Sequence, residues 1–207
     1  MKDLLLRLAD KGFRPDTIID VGAYIGDWTR LAHIVFPGSR LLMVEPQVAK
    51  NPFLDAVCRE TGAEYSNLLL GARAEMHVPF HLMETGSSVF LENTDYPRTE
   101  TFLSMDRLDN LPLPNTGTFF LKLDTQGYEL EILKGAPEVL SRTEAVIMEG
   151  SFLEYNRGAP LIAETVAFMR ARDFLCYDIC QLWRRNPDNT AMQADFLFVR
   201  SNSALRR

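Results

Sequence analysis

Asp20-Val21-Gly22-Ala23-Tyr24-Ile25-Gly26 follows the apolar run Thr17-Ile18-Ile19 and leads into a segment of helical period. A strand that passes through glycines into a helix can bring its backbone close to a ligand, because glycine has no Cβ to collide with it. The dinucleotide fingerprint G-x-G-x-x-G needs its second glycine where a pyrophosphate approaches. Counted from Gly22, Tyr24 occupies that place, so a cofactor without a pyrophosphate fits better. The next apolar run ends at Glu45-Pro46. That is about 20 residues beyond the turn, the separation at which an acid accepts hydrogen bonds from ribose hydroxyls. Asp20, closing the first strand, is positioned to receive an ammonium group. Adenosine and an amino acid without phosphate describe S-adenosylmethionine. Helix capping by Asp20 and Gly22, with Glu45 a solvated strand-end charge, is the competing reading of these residues.

Outward from this turn, short apolar runs at 17–21, 41–45, 64–70, 118–124 and 145–149 alternate with helical segments. This is the pattern of a mostly parallel sheet wound on both faces by helices. Trp28, Leu31, Ala32 and Val35 fall at helical spacing, as do Leu130, Leu133 and Leu140, and Ile162, Val166 and Met169. Lys134-Gly135-Ala136-Pro137 predicts a break between helices. Runs at 174–180 and 194–200 predict an antiparallel hairpin closing the sheet. Residues 72–116 depart from the alternation and read as an insertion of short strands and loop beside the active-site edge. Residues 1–16 read as an amphipathic helix rather than a signal peptide, since charges interrupt the apolar stretch. With no repeat or linker, residues 1–207 are expected to form one α/β domain.

The formal charge of −6 carries no footprint for a polyanion, so a small-molecule partner is expected and nucleic acid is not. No apolar run reaches the ~20 residues of a membrane span. Cys58, Cys176 and Cys180 form no paired motif and suit reduced thiols in a cytoplasm. Oligomeric state is not legible.

Three blocks carry a resemblance: the 20–26 turn, Val44-Glu45-Pro46, and Leu121-Lys122-Leu123-Asp124-Thr125-Gln126-Gly127-Tyr128-Glu129-Leu130-Glu131-Ile132-Leu133-Lys134-Gly135-Ala136. Together with Val146-Ile147-Met148-Glu149 and Asp195-Phe196-Leu197-Phe198-Val199, they resemble FkbM-type methyltransferases over nearly the whole chain after the first helix. The resemblance implies a class I methyltransferase (Rossmann-like) fold: α/β, doubly wound, a mostly parallel seven-stranded sheet with the last strand antiparallel. It further implies S-adenosylmethionine as donor and oxygen on a sugar or natural product as acceptor. Cofactor contacts are expected from Asp20, Gly22, Ala23, Tyr24, Gly26, Glu45, Pro46 and Asp124. Tyr24 stands where many relatives carry a smaller or polar residue.

The sulfonium donor is already activated, so the acceptor side must chiefly align a nucleophile and accept its proton. Asp124, at the end of its strand, is the expected orienting group or base, with helix capping as its alternative role. His81, like His77, lies in the insertion and is a candidate base because an unperturbed imidazole titrates near neutrality. Ser87, Ser88, Tyr128 and Glu149 are the candidate acceptor-binding residues. No metal is expected; the lesser alternative is Mg2+ held by Asp124 and Glu149. Lys122 alternates with its strand neighbours and reads as solvated or paired, while Glu129 and Glu131 suit a helix's first turn by its dipole. Trp28, Tyr96, Phe102, Tyr155 and Trp183 can line an acceptor pocket or fill the core, and Arg98 and Arg157 can hold an anion or be solvated. The competing functions are a cofactor-binding module without catalysis and an NAD-dependent oxidoreductase.

Overall fold

In the computed structural model, which describes residues 1–207, the central strands are buried along their full length, as parallel strands covered on both faces must be. The elements run α1 (Lys2–Asp10), β1 (Thr17–Val21), α2 (Asp27–Val35), β2 (Arg40–Val44), α3 (Asn51–Thr61), β3 (Glu64–Ser66) and β4 (Leu69–Leu70). Then come β5 (Glu75–Leu82), β6 (Thr99–Asp106), β7 (Phe119–Leu123), α4 (Glu129–Lys134), α5 (Pro137–Arg142) and β8 (Thr143–Ser151). The chain closes with α6 (Ile162–Arg170), β9 (Phe174–Arg184) and β10 (Ala191–Arg200).

Seven strands form one sheet in the order β3-β2-β1-β7-β8-β10-β9. Strands β1, β2, β3, β7 and β8 pair in parallel, while β10 pairs antiparallel with both β8 and β9. The final hairpin therefore inserts its second strand between β8 and β9 and leaves β9 at the edge. Alternation divides the interior into two layers. Ile19, Val21, Leu121, Leu123, Val146 and Met148 face α4, α5 and α6. Ile18, Met43, Phe120, Ile147 and Leu197 face α1, α2 and α3, where Phe13, Phe36 and Trp28 meet the Phe120 ring edge-on.

The run at 64–70 is two strands rather than one. At its middle, Asn67 donates through Nδ2 to the Glu45 carbonyl and to Asn51 Oδ1, both at 2.8 Å. These bonds turn the chain, so that Leu69–Leu70 leave the main sheet and pair with β6. The insertion is a three-stranded sheet, β4-β6-β5, lying beside the carboxyl edge of the main sheet. Of the predicted helical faces, only Val166 points outward, at 38% exposure; its neighbour Met169 is fully buried. The Gly135-Ala136 break separates α4 from α5 as expected. No helix is long and apolar enough to cross a membrane.

Candidate functional site

The carboxyl ends of β1, β2 and β7 enclose a cavity of about 380 Å³. Its rim begins at Gly22, whose φ of +74° and missing Cβ are both needed: a Cβ there meets the Asp124 carbonyl oxygen at 1.9 Å. That contact packs the two strand-end loops against each other. Gly26, at φ +78°, precedes α2. It packs on Val57 and stands off the cavity, so its part is to shape the turn rather than to touch a ligand.

Glu45 lines the cavity with its carboxylate held by two backbone donors: Oε2 accepts from the Tyr24 N–H at 2.8 Å and Oε1 from the Gln47 N–H at 2.9 Å. Burial raises its pKa against the pull of these bonds. Each oxygen keeps a lone pair, so the group can still accept from vicinal hydroxyls. Val44, Leu68, Leu70, Phe80, Val89 and Ile132 supply an apolar wall suited to an adenine ring. Ala23, Tyr24 and Pro46 also line the cavity. The Tyr24 hydroxyl reaches away to donate to Glu84 Oε2 at 2.9 Å.

Asp20 does not line the cavity itself. It is buried beside the cavity, where its Oδ2 accepts from Thr29 Oγ1 at 2.7 Å and its Oδ1 lies 3.2 Å from Lys122 Nζ. Lys122 is the buried hub of this floor. Its ammonium also lies 3.5 Å from Asp124 Oδ2 and donates to the Gly22 carbonyl at 3.3 Å. The adjacent carboxylates outweigh burial and hold it firmly protonated, with its pKa well above the usual lysine range.

A second, more open cavity of about 1140 Å³ adjoins the first. Asp124, Pro46, Gln47, Glu84 and Thr85 line both. Asp124 therefore stands at the junction, with Oδ1 accepting from Gln126 Nε2 at 3.1 Å. Glu149, Tyr155, Trp183, Arg98 and Gln193 line the second cavity alone. Glu149 accepts from Gln193 Nε2 at 2.7 Å, and burial beside Asp124, Glu129 and Asp195 raises its pKa well above the usual carboxylate value. Burial likewise pushes Asp195 up to about 6.

His81 lines neither cavity. Strand alternation on β5 turns Phe80 inward and His81 away, where its Nδ1 lies 3.9 Å from Glu100 on the paired strand. Ser87 and Ser88 reach the first cavity, but their hydroxyls staple loops. Ser87 Oγ accepts from the Met83 N–H and donates to the Glu84 carbonyl; Ser88 Oγ donates to the carbonyls of Thr125 and Gln126. Tyr128 also belongs to the first cavity, edge-on to Phe90 at 5.2 Å, rather than to the acceptor side. Trp28 lines the first cavity, Tyr96 and Tyr155 the second, and Phe102 neither. Arg98 donates to the carbonyls of Glu92 and Thr94 and Arg157 to Asn93 Oδ1, so both brace loops. No cluster of three or more His, Cys, Asp or Glu side chains is arranged to hold a metal ion.

Three functional features escaped the sequence reading. Glu129 is not merely a dipole-compensating acid: its Oε1 accepts from the N–H groups of Thr125 and Gly127 and so holds the loop that carries Asp124. Burial pushes its pKa up to about 7. Glu84 meets Lys50 Nζ at 2.5 Å and accepts from the Tyr24 hydroxyl, and so ties the insertion to the glycine turn. Gln193, from the last strand, orients Glu149. An acid in the first turn of a helix hinted at Glu129; nothing local marks the other two.

Among solved structures, the chain is similar to O-methyltransferase TomG from Streptomyces achromogenes, involved in tomaymycin synthesis, in complex with SAM. That likeness has a TM-score of 0.56 at 12% identity, covering 97% of this chain and 79% of that one. For 1,6-didemethyltoxoflavin-N1-methyltransferase from Burkholderia thailandensis the TM-score is 0.53 at 13% identity, covering 97% and 76%. For precorrin-6y C5,15-methyltransferase from Geobacter metallireducens GS-15 it is 0.50 at 13%, covering 96% and 88%. At such identities the likeness shows the fold, that of the class I methyltransferases. No curated protein matches the sequence. The methyltransferase FkbM domain matches residues 20–176, from the end of β1 into β9. That span contains all the residues that line the first cavity and the Asp124 junction, and the chain belongs to the FkbM methyltransferase domain family.

Proposed function

We propose that the chain transfers a methyl group from S-adenosylmethionine to a hydroxyl oxygen of a small molecule, and that Asp124 orients that hydroxyl and accepts its proton. The observation that carries this reading is the meeting of two cavities at Asp124: a narrow, half-apolar one with Glu45 on its wall, and a wider polar one beyond. When bound, the donor supplies a methyl already activated on a sulfonium. The chain's own residues do the rest. Glu45 accepts from ribose hydroxyls, Gly22 lets the backbone close in, and Lys122 holds the Asp124 carboxylate at the junction. Glu149, steadied by Gln193, offers a second polar contact for the acceptor. The acidic lining of the wider cavity, with Glu84, Glu92, Asp124 and Glu149 against Lys50 and Arg98, favours a small neutral acceptor over a nucleic acid. The three cysteines are free thiols, in keeping with action in a reducing cytoplasm and with a single domain needing no staples.

Calorimetry is expected to register S-adenosylhomocysteine binding and no NAD binding. Asp124→Asn is expected to lower transfer of labelled methyl to an acceptor by ~100-fold or more while leaving S-adenosylhomocysteine affinity within a few-fold. NAD binding in place of the homocysteine ligand overturns the donor; an Asn variant of full activity overturns the role of Asp124. Absence of transfer to any hydroxyl acceptor leaves the non-catalytic module standing instead.

A further inference from the structure

One donor on the wall of the first cavity has no acceptor anywhere in the protein. Trp28, in the first turn of α2, lines this cavity, and its indole N–H is buried without a hydrogen-bond partner. The ring itself is well seated, packing edge-on against Phe120 with centroids 5.8 Å apart. A buried tryptophan N–H normally finds a partner, and leaving one unpaired is unfavourable. Two other buried side-chain polar atoms lack a hydrogen-bond partner, Asp20 Oδ1, which faces the Lys122 ammonium, and Asn156 Oδ1; both are acceptors, so the orphan donor on the wall of a ligand cavity calls for an acceptor on the ligand.

Its place in the fold says which part of the ligand. Phe120 belongs to β7, and β1 separates β7 from β2, whose carboxyl end carries Glu45. A ligand with its ribose on Glu45 thus extends across β1 toward Trp28, Lys122 and Asp124, all on the wall of the same cavity. The ammonium of Lys122 lies in that floor, but its contacts to Asp20, Asp124 and the Gly22 carbonyl already occupy it. The Trp28 indole N–H is a buried side-chain donor left free.

We propose that the Trp28 indole N–H donates to the carboxylate of the donor's amino-acid end and so fixes the methionine arm against β7. This rests on the reading of the cavity as an S-adenosylmethionine site and adds a residue that neither the glycine turn nor the strand-end acids announce. The assignment makes Trp28 a positioning residue: it reads the part of the cofactor farthest from the adenine and sets where the sulfur comes to lie.

Two probes separate this role from mere packing. S-Adenosylhomocysteine carries the amino acid; 5′-methylthioadenosine keeps the nucleoside and thioether but lacks it. Trp28→Phe removes the N–H and retains a ring against Phe120. The expected result is a loss of ~10-fold in affinity for S-adenosylhomocysteine with affinity for methylthioadenosine unchanged. Equal losses for both probes, or none for either, overturn the proposal. Should the variant fold poorly, the wild-type protein serves: it has only two tryptophans, so the Trp28 indole 1H–15N resonance is assigned with Trp183→Phe. That resonance is expected to move downfield with S-adenosylhomocysteine and to stay near its free position with methylthioadenosine. The same shift with both probes overturns the contact. Wild-type protein that binds neither probe refutes the cofactor reading itself, an outcome distinct from failure at Trp28.

Discussion

Glu129 shows how much one buried side chain can do at the residue scale. Its carboxylate closes the loop after β7 by accepting from Thr125 and Gly127, yet burial raises its pKa from the ordinary 4.5 to about 7. An acid with a folded pKa above its unfolded one supports the fold while protonated. That contribution is complete below pH 4.5 and is lost as pH rises through about 7. Glu129→Gln keeps an acceptor oxygen and abolishes the titration. Relative to this variant, the wild-type protein is expected to lose about 3 kcal/mol of stability between those limits, and the difference is expected to level off above them. Urea denaturation across this pH range checks it, and a difference that does not vary with pH counts against the assignment. The residue scale also explains why two candidate site residues line neither cavity. Asp20, next to last in a strand whose side chains alternate between layers, turns its carboxylate toward Thr29 and Lys122. His81 is excluded from the cavities by the same period of two that brings Phe80 in.

Among the elements, the turn 84–86 that follows β5 stands between the two cavities and is held from three directions. Glu84 accepts from Lys50 Nζ and the Tyr24 hydroxyl, and its carbonyl accepts from Gln47 Nε2 at 3.3 Å. Lys50 lies over the Tyr24 ring at 4.4 Å. The ammonium and the phenol together hold the Glu84 pKa below its usual value. This clasp joins the insertion to the glycine turn and the start of α3. Loosening it with Glu84→Ala is expected to speed S-adenosylhomocysteine dissociation by ~2- to 5-fold, the range of an exposed ion pair, and the effect should shrink in high salt. Stopped-flow release measures it; an unchanged rate shows the clasp to be passive. The residues that build it are far apart in the chain, with Tyr24 and Glu84 60 positions from one another, and no local pattern pairs them. The split of 64–70 has the same origin. Ser66-Asn67 interrupts its apolar residues, and the bonds made by Asn67 to distant residues divide it.

Across the whole molecule, the layer facing α1, α2 and α3 is capped by the first helix, which lies outside the span matched by the family. Leu4, Leu5 and Leu8 of α1 are buried there beside Phe13 and Phe36. Leu5 is completely enclosed, so Leu5→Ala is expected to lower stability by ~2–5 kcal/mol and to leave S-adenosylhomocysteine affinity unchanged at temperatures where the fold persists. Thermal melting and calorimetry on the same sample test both halves, and a large loss of affinity at intact fold would tie α1 to the site. The order of strands and helices, the glycine turn at Gly22 and the acid at Glu45 were determined by the sequence alone. Each depends on hydrophobic period and glycine chemistry within a few residues of chain. Which acids line the cavities and which are buried in ion pairs, the joining of the two cavities at Asp124, and the unpaired indole N–H of Trp28 were decided only by tertiary structure. These depend on contacts such as that of Lys122 with the Gly22 carbonyl, 100 positions away, which exist only once the sheet has brought distant strand ends side by side.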